Sequence, residues 1–229
     1  MEPLGWLLLI LLGAWAALDG VSAGQFMISR PLVTGTITGL VLGDPATGFL
    51  LGLILDLFHL GTIPAGGARL PEPGPAAIPA TFAATWVGGA GGLAAGFCVG
   101  VAMALAGGVA VIVQRRGHGR LVAGLAEGGT NPGGLTRRLV LALGMDGLRG
   151  SALVAVGLAA VWAVPRGWRE AWVSGWPLDE TATWALLLAC AALPLGSVMG
   201  NLSAERGRVP LLLAGLAVGV VLGFWWELP

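Results

Sequence analysis

The stretch Leu40–Gly61, LVLGDPATGFLLGLILDLFHLG, decides what kind of fold this chain adopts. It is apolar enough to enter a membrane, yet it carries two carboxylates, Asp44 and Asp56. An ionised Asp at the centre of a membrane helix costs about 2.5–3.5 kcal/mol on insertion scales, so such residues face a cavity or a partner. Asp44 precedes Pro45 in GDPATG, where Gly and Asp-Pro favour chain reversal. It reads as a structural turn or helix cap at the membrane surface. Asp56 has no turn signal around it and reads as a cavity-facing hydrogen-bonding group. His59 follows three residues later and shares a helical face with it, either as part of a proton relay or substrate-contacting pair or as a histidine bonded to a nearby carbonyl.

The rest of the chain has the same character. Of 229 residues, 56% are hydrophobic and 10% charged, and the mean hydropathy is +0.85. Soluble domains carry about a quarter charged residues, so this is an integral membrane protein of a single domain spanning residues 1–229. Net charge is zero and Lys is absent, which leaves no basic stripe for nucleic acid. Cys98 and Cys190 both lie in apolar runs and read as small buried hydrophobes. A lone Asp-x-x-His is too weak for a metal site, and no motif for a cofactor or a catalytic nucleophile appears.

Spanning a bilayer takes about 20 apolar residues. Hydropathy then predicts an all-α polytopic protein with six or seven membrane segments. The first is Pro3–Leu18, read as a retained span because no positive charge precedes it, as a signal peptide would require. Pro73–Gln114, uncharged throughout, suits two crossings or one crossing with a buried hairpin. Leu139–Val164, Thr181–Ala204 and Val209–Trp226 supply further spans. The Arg-rich segment 115–138 reads as a basic cytoplasmic loop, with SAERGR (203–208) on the same side. The tryptophan-rich segment around Trp168 then faces outward. Asp146 and Arg149, one turn apart, read as a pair.

Two patterns point to moving or buried parts. Gly35, Gly39 and Gly43, and again Gly88, Gly92, Gly96 and Gly100, are spaced by four, which puts each set on one helix face for close backbone approach. Prolines recur through IPAGGARLPEPGPAAIPA (63–80), which reads as an interrupted, re-entrant region rather than a continuous helix. Irregular backbone at membrane depth survives where it lines a cavity, and in transporters it points to the substrate site. Glu72 lies within it.

Residues 24–81, GQFMISRPLVTGTITGLVLGDPATGFLLGLILDLFHLGTIPAGGARLPEPGPAAIPAT, resemble the membrane subunit IIC of mannose/sorbose-type phosphoenolpyruvate-dependent sugar phosphotransferase systems. The resemblance is carried by SRPLV, by GLVLGD with its TG turn, by the acid in LILDLFHLG and by the proline-rich stretch with Glu72, within a motif-bearing region 24–85. It implies a sugar permease subunit in the bacterial cytoplasmic membrane. It also implies a IID membrane partner, and cytoplasmic IIA and IIB subunits that carry the phosphoryl group, so that the chain itself is not an enzyme. Substrate-binding candidates are Asp56, Glu72, Gln25, Ser29 and His59. A regulatory or vestigial IIC in an incomplete phosphotransferase system, without transport, is the alternative, and the resemblance leaves homo-oligomer formation open.

Overall fold

A computed structural model describes residues 2–60, 71–128 and 132–202. Within them the chain forms eight helices: α1 (Pro3–Val21), α2 (Pro31–Leu42), α3 (Pro45–His59), α4 (Pro73–Val87), α5 (Gly89–Gly128), α6 (Pro132–Trp162), α7 (Arg166–Gly175) and α8 (Glu180–Leu202). There is no strand among the described residues. Among the described residues three helices are long and apolar enough to cross a membrane: α1, α5 over Gly89–Ala123 and α6 over Gly133–Trp162. Between α1 and α4 the chain forms a hairpin of α2 and α3, whose arms are too short to span alone. The expected span Val209–Trp226 and the SAERGR turn lie outside the described residues.

The hairpin turns where Gly43 takes a left-handed conformation, φ +83, and Asp44 begins α3 by accepting the Thr47 amide at 3.1 Å. Its two arms touch backbone to backbone. A Cβ on Gly35 would lie 2.7 Å from the Gly48 carbonyl oxygen, and one on Gly48 would lie 2.4 Å from that of Gly35. Glycine there removes the side chain that would hold the arms apart. The glycine series are therefore not uniform. Gly43 and Gly88 have open space around them and positive φ, and serve as turns; Gly39, Gly92 and Gly96 make the close approaches.

Helix α4 is the hub. Every residue from Gly74 to Ala84 is buried, and the helix packs against α1, α2, α3, α5 and α6. On one side Ile78 and Phe82 join Leu9, Leu12, Val154 and Leu158. On another, Ala77, Ala80 and Ala84 meet Leu51 and Leu55. Pro73–Gln114 is thus one long helix preceded by a short buried arm, broken at Gly88. The proline-rich region is more helical than its composition predicts. Pro73 and Pro75 occupy the first turn of α4, where a missing N–H removes no intrahelical bond, and only Pro79 lies in the helix interior. Its part 61–70 lies outside the described residues.

Two segments read as loops are also helical. Positions 115–128 continue α5, and positions 132–138 begin α6. The Trp-rich segment forms α7, which has no buried residue but is anchored at its aromatic groups and Arg169. Trp172 donates from Nε1 to the Gly91 carbonyl at 2.8 Å, and Arg169 lies over the Trp86 ring, 5.2 Å from its centroid. An apolar aromatic face opposite a charged one is the composition of a helix lying in a membrane interface.

Candidate functional site

The site grows from the point where the chain enters α2. Asp19, at the end of α1, is 2% exposed and accepts the backbone amides of Phe26 and Ser29, the latter at 2.9 Å. A carboxylate taking two amide bonds holds a short loop firmly. The loop contains Gln25 and Met27 at φ +55 and +64, a conformation few side chains adopt. Ser29 then packs on the start of α4, so closely that a Cβ on Gly74 would lie 2.2 Å from the Ser29 carbonyl oxygen. Thr34 adds a hydrogen bond from Oγ1 to the Gly74 carbonyl at 2.9 Å.

Glu72 is fixed from the other side. Its amide donates to the Ala104 carbonyl of α5 at 2.9 Å, and its carboxylate accepts Nη1 of Arg149 from α6. The side chains are 13% and 8% exposed. Between these anchors lies a cavity of about 240 Å³, walled by Gly20 and Ser29, by Pro71–Pro75 including Glu72, and by Gly108 and Arg115 of α5.

Of the five candidates from sequence, Ser29 and Glu72 line this cavity. Gln25 is exposed on the loop before it. Asp56 pairs with Arg30 at 3.3 Å, beside Ser29 in sequence; neither residue is part of the cavity wall. His59 is buried and donates from Nδ1 to the Leu55 carbonyl at 2.7 Å. Its carbonyl bond is the second of the two roles its sequence context left open. The pairing of Asp146 with Arg149 does not form. Arg149 turns to Glu72, while Asp146 accepts Ser22 Oγ and, at 2.7 Å, Gln114 Nε2. Sequence proximity on one helix loses here to partners supplied by α1, α4 and α5, which lie deeper in the bundle. Asp19 was missed altogether; an acid closing an apolar run was the available signal. Among the described residues no cluster of His, Cys, Asp and Glu fits a metal ion.

The family described as "PTS system sorbose-specific iic component" (EII-Sor) matches residues 4–118, half of the chain. The chain belongs to this family. It is a membrane protein of apolar helices. It is 32% identical over 109 residues to the sorbose-specific EIIC component of Lacticaseibacillus casei, covering 47% of this chain and 39% of that one. The mannose-specific EIIC component of Escherichia coli K12 is also 32% identical over 109 residues, covering 48% and 40%. The fructose permease IIC component of Bacillus subtilis reaches 37% over the same length, covering 47% and 40%. The matched part is thus about 40% of the length of these relatives. A cryo-electron microscopy structure of the mannose transporter ManYZ with microcin E492 contains a chain that this one matches at TM-score 0.59 and 22% identity, over 100% of this chain and 97% of that one. The likeness extends to the whole fold, including the helices beyond residue 118.

Proposed function

We propose that this chain is a sugar-translocating IIC permease subunit of a mannose/sorbose-type phosphotransferase system, resident in the bacterial cytoplasmic membrane. The observation that carries the reading is the cavity between Ser29 and Glu72, built from the segments on which the family resemblance rests. Glu72 offers oxygens to sugar hydroxyls, and a buried hydroxyl needs such a partner to enter a protein interior. Ser29 both donates and accepts. Gln25 and Asp56 are placed at the approach to the cavity in this proposal, and His59 braces the end of the hairpin. The named relatives act on sorbose, mannose and fructose, which makes a hexose the substrate class.

In this reading the pathway is shared with a IID subunit, and cytoplasmic IIA and IIB subunits transfer the phosphoryl group, so the chain does no covalent chemistry. The two-subunit transporter to which the fold is similar supports the partner assignment. The test is sugar uptake by the native host carrying Glu72→Gln or Asp56→Asn, together with affinity capture of the tagged chain in mild detergent. Loss of hexose uptake and recovery of a second polytopic subunit support the proposal. Unchanged growth on every hexose and hexosamine, with the chain recovered alone, overturns it in favour of a regulatory role.

A further inference from the structure

Beside the cavity just described lies another, of about 170 Å³, lined by Ser22, Gln114, Arg115, His118, Asp146 and Arg149. The two share Val21, Val111 and Arg115, and the Glu72–Arg149 pair stands between them: Glu72 lines the first and Arg149 the second. We propose that this pocket is a second sugar station, which takes the substrate after it passes the Glu72–Arg149 pair. The inference rests on the permease reading above and goes beyond it by naming Ser22, Gln114, His118, Asp146 and Arg149, none of which lines the first cavity.

Arg149 carries the argument. Its side chain is 8% exposed, Nη1 is held by Glu72, and Nε and Nη2 have no hydrogen-bond partner among the described residues. Buried donors on a cation are rarely left without an acceptor, and each one marks a place where something is missing. The missing group has a definite shape. Nε–H and Nη2–H point in parallel and match two adjacent oxygens, which an ammonium group does not do. Arg149 is itself part of the wall of this pocket.

The rest of the wall says which oxygens fit. Asp146 accepts from Ser22 and Gln114, and His118 Nε2 lies 4.0 Å from its Oδ1 and 3.5 Å from Gln114 Nε2. The pocket therefore offers a carboxylate acceptor, guanidinium donors and three side chains able to do either. Arg149 is balanced by Glu72, and Asp146 opposes Arg115 in sign. An anion gains no net attraction from such a set and meets the Asp146 carboxylate. A neutral polyol satisfies it, because vicinal hydroxyls accept from Arg149 while donating to Asp146. A hexose has that chemistry.

The experiment uses the native host with the chromosomal copy replaced, labelled D-mannose, D-fructose and L-sorbose for uptake, and the purified full chain in lipid nanodiscs for binding. Arg149→Lys keeps a cation against Glu72 and removes the forked edge; Gln114→Ala with His118→Ala leaves the ion pair intact. The expected result is uptake about tenfold or more slower in both variants, with equilibrium affinity for the same sugar within about threefold of wild type, since the first cavity still binds. A melting temperature matching wild type excludes misfolding as the cause. Uptake within about twofold of wild type in both variants overturns the second station and leaves the permease reading standing. A wild-type chain that neither binds nor transports any of the three sugars overturns both.

Discussion

Arg149 of α6 and Glu72 at the start of α4 form an ion pair across 77 residues of sequence, at a place where little solvent reaches either. Two consequences follow from burial. The pair ties the hub helix to α6 at one point, and neither partner is easily lost alone. Removing one member of a buried pair leaves the other charge uncompensated, which costs about 3–5 kcal/mol in soluble proteins. Arg149→Met is therefore expected to lower thermal stability by an amount of that order. Glu72→Gln in the same chain is expected to restore much of the loss, because it removes the orphaned carboxylate. Thermal denaturation of the two single variants and the double variant checks this, and simple additivity would argue that the pair is not coupled.

Glycine substitutions separate contact from conformation. Gly48→Ala places a Cβ 2.4 Å from the Gly35 carbonyl oxygen and forces the arms of the α2–α3 hairpin apart. Backbone cannot yield as a side chain does, so the expected outcome is loss of monodisperse protein on size exclusion. Gly119→Ala, in the helical interior of α5 with nothing within 4 Å, makes the control. It is expected to stabilise by about 0.5–1 kcal/mol, the ordinary gain of Ala over Gly in a helix. If both behave alike, close approach is not what glycine provides in the hairpin.

Asp44 gives a smaller and more local effect. Its carboxylate accepts the Thr47 amide and closes the first turn of α3. Asp44→Ala removes that cap and is expected to cost about 1 kcal/mol, while Asp44→Asn, which keeps an acceptor oxygen, costs a few tenths. A melting series of the three proteins distinguishes a cap from a substrate group. Sugar uptake at a temperature well below melting is expected to be the same in all three.

These residues show which features were legible in the chain and which were not. Asp44 with Pro45 announces its turn through a local signal, since Asp, Pro and Gly constrain backbone within four positions. Hydropathy found α1, α5 and α6 because length and apolarity suffice for them. Around α2, α3 and α4 hydropathy did not show how the chain divides into short helices, because Thr34, Leu51, Leu55 and Ile78 are buried against other helices. Hydropathy cannot tell protein from bilayer as an apolar surrounding. The Arg-rich segment 115–138 misled in the opposite way. Its charges marked an end of the membrane, yet Arg, Leu and Ala all favour helix and α5 simply continues. The site was half legible. Ser29 and Glu72 stood out as polar groups at an irregular segment, but Arg149 sat one turn from Asp146, and only the packing of α4 against α6 gives it a different partner.

The residue least visible in sequence makes the last prediction. Asp19 lies in the final turn of α1, 2% exposed, and is no part of either cavity's wall. Its work is to hold the amides of Phe26 and Ser29, and through them the loop that delivers Ser29 to the cavity wall. Hydrogen bonds to a charged group contribute about 1.5–3 kcal/mol each, so Asp19→Ala releases the loop at substantial cost. Asp19→Asn keeps one acceptor oxygen where the carboxylate presents two, and its amide group faces a backbone N–H with another donor. Both variants are expected to weaken hexose binding by about tenfold or more, with Asn the milder. Direct contact and positioning then part on Ser29→Ala. That variant keeps the backbone amide that Asp19 holds, so it loses only the hydroxyl and is expected to melt at the wild-type temperature. Asp19→Ala is expected to lower both affinity and melting temperature. Equal melting for Asp19→Ala and wild type would mean that the loop is held by something other than Asp19.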